Sequence, residues 1–282
     1  MALFKKRKKE SVAIPFLISM VITLLVIGIP VFTFYNRLIT EKESTNSGLE
    51  DVIFTPTNEN DTTLLFVYEP NDKSLRPSFL ILRTSAMNKS FTFIPVSNDL
   101  LCGSEKMSVI FKNGGIIELT KAVEKTFETD IDRYMLLNDE ALSVICDSFG
   151  GVNYAVPEGL KGLNEGTQFL DSSFILKLIS NPKFAEDART VATGNLFADM
   201  LSGASGTRVA DIAEYTYNKV INMVETDITS IDYENQKKAV DYIFRSNQYI
   251  STYRVPAGKP SGDGIALDPS SLKQIKADSG LQ

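Results

Sequence analysis

The longest feature in the pattern of apolar and polar positions is an unbroken apolar run near the start of the chain. From Ser11 to Asn36 no residue carries a charge, and the stretch AIPFLISMVITLLVIGIPVFTF is almost wholly apolar. At about 1.5 Å per residue, such a run is long enough to cross a hydrocarbon core of roughly 30 Å as a helix. Pro15 and Pro30 fall near its ends, where they disturb a helix least. The bulky Phe32, Phe34 and Tyr35 close it without the small-x-small pattern of a cleavable signal. The pattern predicts an uncleaved signal anchor over 11–35. The alternative, a buried core helix, is disfavoured because an uncharged run of this length beside KKRKK is hard to bury in a chain of 282 residues. Lys5, Lys6, Arg7, Lys8 and Lys9 precede the run and only Arg37 follows closely. The bias of positive charge then makes 1–10 a cytoplasmic tail and sets residues from about 40 onward outside, in a single-pass plasma-membrane arrangement with an extracellular C-terminal domain.

Residues 36–61 are rich in Thr, Asn, Glu and Ser and read as a juxtamembrane linker. The periodic pattern begins at Thr62, so 62–282 is assigned to one extracytoplasmic domain. TTLLFVYE, SFLILRTS and SFTFIPV are short, nearly continuous apolar runs that predict three buried strands, with a turn at Asn88–Lys89. Ile116, Leu119, Val123 and Phe127 then recur at helical spacing, which predicts an amphipathic helix over Gly115–Phe127. Asn138 is placed to cap a helix carrying Ala141, Leu142, Ile145 and Phe149, ended by Gly150–Gly151. VNYAVP reads as a short strand. Ser172 or Ser173 caps a helix that stops before Pro182. Helical patterns follow at about 185–202, 207–225 and 233–245. YISTYRVP reads as a late strand, 257–264 as a Gly/Ser/Pro-rich loop, and PSSLKQIKA as a last helix capped by Asp268. Strands mixed with helices predict an α/β fold with a central mixed sheet sandwiched by helices.

Composition removes several classes of chemistry. The chain has no histidine, which excludes Ser-His-Asp and Cys-His catalysis and histidine-held metals or haem. Two cysteines cannot build a Cys-only zinc site. Export puts Cys102 and Cys146 where disulfides are permitted, and the sequence leaves open whether they pair or are two buried thiols. Setting aside the five cations and Glu10 of the first ten residues leaves 24 positive and 34 negative charges, a net of −10. A body this acidic is not suited to nucleic acid.

From Thr62 to about 275 the order of segments resembles the LytR-CpsA-Psr family of cell-envelope proteins. The resemblance is carried by LRPSFLIL, FTFIPVSND, EKMSVIFKNGGIIELTKAVEKTF, DIDRYMLLNDEALSVICDSFGGVNYAVP and LNEGTQFLDSSFILKLIS, and is most specific from Lys106 to Pro157. It implies a membrane-anchored protein that handles anionic glycan on a polyprenyl-pyrophosphate carrier and transfers it to peptidoglycan. It also implies a lipid tail in an apolar tunnel between sheet and helices, and a pyrophosphate held by arginines and by Mg²⁺ on aspartates. Such a transfer needs charge on the leaving group to be stabilised, for which a planar, permanently charged guanidinium is suited.

The residues that would carry this chemistry are where the resemblance departs. Pro77 or Ser78 stands at the place of the family's metal-binding aspartate. Val96 and Ser97 replace an arginine and an acid in Ile94-Pro95-Val96-Ser97, Ser180 and Pro182 replace two arginines at a helix end, and Ala192 and Thr193 replace two further polar residues beyond Arg189. Arg83, Lys106, Arg189 and Arg76 remain as pyrophosphate-binding candidates and Glu69 as a metal ligand. Each has a plainer reading: Glu69 a solvated strand end, Lys106, Arg189 and Arg76 surface charges, Arg83 a partner to a carboxylate. Removing one donor to a developing charge commonly costs roughly 2.7–4 kcal/mol. The sequence therefore predicts a degenerate member that binds polyprenyl-phosphate-linked glycan. The alternative is an active phosphotransferase using Mg²⁺ that attaches glycopolymer to peptidoglycan. A transcriptional role is discounted, because an external acidic domain does not reach DNA.

Overall fold

Apolar runs joined by short polar turns pair with their nearest neighbours, and they do so here. The computed structural model describes residues 54–156, 166–202, 207–246 and 248–281. Strands β1 (Thr62–Tyr68), β2 (Ser78–Ser85) and β3 (Ser90–Val96) pair antiparallel in sequence order, as their spacing predicts. Lys89 occupies the left-handed region of the β2–β3 turn at φ 48°. A small hairpin, β4 (Leu101–Cys102) and β5 (Glu105–Lys106), leads into helix α1 (Met107–Phe127). Then come β6 (Arg133–Leu137), α2 (Asp139–Ser148) and the hairpin β7 (Val152–Val156) and β8 (Gly166–Leu170). Helices α3 (Ser172–Ser180), α4 (Glu186–Ser202) and α5 (Thr207–Val220) follow, then β9 (Glu225–Thr226), α6 (Ser230–Arg245) and β10 (Ile250–Tyr253). The described chain ends in the hairpin β11 (Gly258–Ser261) and β12 (Gly264–Leu267) and helix α7 (Pro269–Ser279).

The main sheet has six strands in the order β10-β3-β2-β1-β6-β9. It is mixed, with β6 parallel to β1 and β10 parallel to β3. Successive side chains of a strand point to opposite faces, and both faces of this sheet are covered, which is why its central strands read as nearly continuous apolar runs. On one face Leu65, Val67, Phe79, Ile81 and Ile94 pack against α1 and α7. On the other, Tyr68, Leu80, Phe91 and Phe93 face the helices α2–α6. The α/β sandwich inferred from the sequence is thus the observed architecture.

Several local features differ from the sequence reading. Helix α1 reaches back to Met107 across a kink at Gly115, whose φ of 67° and ψ of −161° break the helical path. The added turns bury Met107 and Phe111 on one side, so core packing extends the helix back beyond the Gly-Gly pair. The cap of α3 is Asp171, not a serine: its carboxylate accepts a hydrogen bond from the Phe174 amide. The Gly/Ser/Pro-rich stretch at 257–264 is not a loop but the body of the β11–β12 hairpin. Packing reaches back to Phe54, whose ring lies 5.4 Å from that of Tyr242. The basic tail, the predicted anchor over 11–35 and most of the predicted linker lie outside the described residues. Among the described residues, no helix is long and apolar enough to cross a membrane.

Both cysteines are free thiols. Cys102 packs at the edge of the core on the α1 side of the sheet, and Cys146 is buried in the core between the sheet and α2–α4, so the sheet stands between them. Burial pushes the Cys146 thiol up to about 12. Labelling of the native chain with a thiol reagent is therefore expected to modify Cys102 at neutral pH and to reach Cys146 only in denaturant. Equal labelling rates, or protection of both that is lifted by reductant, would contradict this arrangement.

Candidate functional site

The end of the sheet at which β1 finishes, β2 starts and β3 finishes gathers the polar residues that the sequence singles out. Its centre is Glu186, at the first turn of α4. One carboxylate oxygen, Oε2, accepts from Arg189 Nη2 and, at 3.1 Å, from Arg76 Nη1. The other, Oε1, accepts from the Asn98 amide at 2.8 Å and from the Ser97 hydroxyl at 3.3 Å. Arg189 lies one helical turn beyond Glu186, and its guanidinium also donates to the Ile179 carbonyl at 2.9 Å. Ser78 donates to that same carbonyl at 2.7 Å, and the Arg76 amide donates to the Ser180 carbonyl at 2.9 Å. Burial pushes the Glu186 carboxyl up, but the Arg189 charge and hydrogen bond, with the Asn98 amide, outweigh it and hold the group below the ordinary glutamate value.

Two of the predicted anion ligands are thereby brought together, on an acid that the sequence reading did not name. Arg189 is not a surface charge: it is 2% exposed. Arg76 retains 44% of its side-chain exposure. The cavity among Ser78, Asn98, Glu186, Arg189 and Thr190 measures about 10 Å³, room for about one water and not for a diphosphate. Glu186 was findable, because its spacing of three from Arg189 in a helical pattern is that of an ion pair on one helix face.

The other candidates do not join this cluster. Arg83 sits at the opposite end of β2, beside the start of β1. It donates to Asp61 at 3.1 Å and to Thr63 at 3.1 Å, and it is buried. Lys106, on the β4–β5 hairpin, lies 3.5 Å from both Asp99 and Asp263. Glu69 follows β1 and pairs with Lys73 at 2.6 Å on the surface. Magnesium takes a near-octahedral shell of oxygens, commonly including carboxylates. Among the described residues no group of three acidic, cysteine or histidine side chains is placed to hold a metal. Of the positions that the resemblance aligns with arginines, Val96 and Ala192 are core residues, Ser180 is buried with its hydroxyl donating to the Leu176 carbonyl inside its own helix, and Pro182 is exposed.

Behind this end, between the sheet and α2–α6, lies an apolar cavity of about 260 Å³, walled by side chains that include Leu80, Phe93, Leu142, Phe197 and Met200. It touches Ser78, Ile179 and Thr193, which also line the small polar cavity. Toward the start of β1 it meets a wider cavity of about 410 Å³ with which it shares Leu64, Phe66, Ala213 and Val240. The space between sheet and helices therefore narrows toward Arg189 and widens toward the opposite end.

Comparison with known proteins agrees with the segment order. Residues 49–174 match the model of the LytR_cpsA_psr family. No curated protein matches the chain. Among solved structures, a protein described as a transcription regulator from Eubacterium siraeum is 21% identical, over 82% of this chain and 96% of its own, with a TM-score of 0.70. TagV of Bacillus subtilis is 14% identical over 77% of this chain and 95% of its own, with a TM-score of 0.57. TagT, also solved from B. subtilis, is similar in its complex with LI-WTA: 14% identity, 83% and 96% coverage, TM-score 0.60. At these identities the likeness carries the fold.

Proposed function

Because the chain belongs over residues 49–174 to the LytR-CpsA-Psr family, we propose that it is a degenerate, membrane-anchored envelope protein. On this reading it binds polyprenyl-phosphate-linked glycan through the lipid tail and does not transfer it. The segment 11–35 holds it in the plasma membrane with the folded domain outside. The observation that carries the loss of chemistry is the state of Arg189. Its guanidinium is buried, with Nη1 committed to the Ile179 carbonyl and Nη2 to Glu186, and the space beside it holds about one water, so a diphosphate has no room to take its remaining donors. Arg76, at the same end, is held by the same carboxylate. The apolar cavity behind them supports the binding half of the reading, as does TagT, solved bound to LIIa-WTA and to LI-WTA.

The competing reading, an active phosphotransferase, requires Glu69, Lys106, Arg83 and Arg189 to act on one group. Arg83 and Arg189 stand at opposite ends of the sheet, bound to different acids. The test uses the purified full chain, Mg²⁺, lipid-linked wall polymer and a peptidoglycan acceptor. The expected result is no transfer above background, together with a polyprenyl-phosphate lipid identified by mass spectrometry in extracts of the protein. Transfer of polymer would overturn the reading, as would extracts free of such a lipid.

A further inference from the structure

At the start of β1, away from Arg189, the 410 Å³ cavity has a wall chemistry that the reading above does not use. Six carboxylates line it: Glu59, Asp61, Asp132, Glu214, Asp232 and Asp241. Its two cationic wall residues are already committed, Arg133 to Asp232 through two hydrogen bonds of 2.7 and 2.8 Å and Lys237 to Glu214 at 2.7 Å. Asp61 is matched from behind by Arg83. Glu59, Asp132 and Asp241 have no cationic partner within bonding distance among the described residues. Burial raises the Asp241 carboxyl above its ordinary value, although Arg245 and Lys237 oppose the shift.

A second observation is independent of charge. Among the described residues six buried side-chain polar atoms lack a hydrogen-bond partner, and three of them, Thr62 Oγ1, Tyr233 Oη and Gln236 Oε1, belong to residues that line this cavity. Thr62 is 5% exposed. Buried polar atoms are normally satisfied, and those that are not call for an explanation. All three can accept a hydrogen bond, and the Gln236 carbonyl oxygen can do nothing else. Beside them Tyr217 and Tyr233 stack with ring centroids 3.8 Å apart, offering an aromatic wall. Beyond them the cavity meets the apolar space under the sheet through Leu64, Phe66, Ala213 and Val240.

We propose that this cavity binds a primary ammonium amphiphile, the ammonium head among the unmatched carboxylates and acceptor oxygens and the apolar tail in the space between sheet and helices. The charge pattern selects the head. A phosphate would meet surplus negative charge and no uncommitted cation. An ammonium brings three N–H donors to a wall with unpartnered acceptor oxygens, and a positive charge to a wall that has surplus carboxylate. The tail is selected by continuity, since the floor of the acidic cavity is the entrance to the apolar one. The tail space is shared with the lipid of the proposed function, but the heads sit at opposite ends, so either can hold without the other.

The test is calorimetric titration of the full chain in phosphatidylcholine nanodiscs, with empty nanodiscs as the blank. The three probes are octylammonium, octanol and octyl phosphate, which share a tail and differ in head. Octylammonium is expected to bind saturably, at least tenfold more tightly than octanol, and octyl phosphate not at all. Asp241→Asn and Gln236→Leu are each expected to weaken octylammonium binding about tenfold. Either variant suffices if the other fails to fold, which its unfolding transition reports. The proposal is overturned by octyl phosphate binding as tightly as octylammonium, by octanol matching it, by no saturable binding of octylammonium, or by unchanged affinity in a folded variant.

Discussion

Replacing Arg189 with methionine is expected to destabilise the folded domain by about 3–5 kcal/mol, the usual cost of removing one partner from a buried charge pair. The loss comes chiefly from what is left behind. Glu186 is largely withdrawn from water and would retain the more exposed Arg76 as its cation, while the Ile179 carbonyl would lose a donor. Adding Glu186→Gln to Arg189→Met should recover much of the loss, because the uncompensated charge is then gone. The pair also fixes a dependence on pH. The folded-state carboxyl of Glu186 is held below its ordinary value of 4.5, so its ionisation contributes stability that is present above that pH and lost as pH falls through the folded value. In Arg189→Met the same carboxyl is raised, and acidification through that range should relieve part of the defect. Urea denaturation of the wild type and both variants at neutral and acidic pH measures all of this. A fully stable Arg189→Met chain would mean that the guanidinium is free for a ligand, and the case for lost chemistry would fall with it.

Truncation of two adjacent residues of β2 should give unequal losses. Phe79 and Leu80 are both buried but face opposite sides of the sheet. Phe79 packs into the side covered by α1 and α7, its ring edge-on to Phe111 at 5.5 Å. Its replacement by alanine should cost about 3–5 kcal/mol, as is usual for a large aromatic removed from a filled core. Leu80 borders the 260 Å³ apolar cavity. Its side chain already lacks neighbours on one side, so fewer dispersion contacts are lost. Leu80→Ala should fall near the low end of its class, about 2 kcal/mol. Denaturant unfolding of both variants decides the matter. Equal losses would mean that the cavity is collapsed in solution, and with it the space on which both lipid binding and amine binding depend.

What was legible in the sequence follows the strength of the local signal. β1, β2 and β3 are continuous apolar runs with turn residues between them, and their limits are recovered within a residue. The caps at Asn138 and Asp268 are legible because a side-chain acceptor in front of an amphipathic stretch has one obvious use. β8 and β9 are not legible. Gly166–Leu170 is half polar, and Glu225–Thr226 is a strand only because β6 lies beside it. The site was legible as a list and not as a geometry. Arg76 and Arg189 were named, but a linear reading does not reveal that one acid at position 186 would claim both. Arg83 was read into the same group because it is near Arg76 along the chain, whereas a strand carries it to the opposite end. The acidic cavity had no signal in the sequence, since its walls come from four separate stretches.

The pairing of β10 with β3 has a consequence for how the chain becomes folded as it is made. β3 ends at Val96, yet the strand that covers its outer edge does not begin until Ile250. Through synthesis of everything between them, β3 presents open N–H and C=O groups along that edge, in a segment rich in aromatic and β-branched residues. Edges of this kind recruit other chains. The hairpins of β1–β3 assemble from local contacts, but closure of the sheet waits on a long loop and is entropically late. A nascent or truncated chain that stops short of Tyr253 is thus the form most exposed to aggregation.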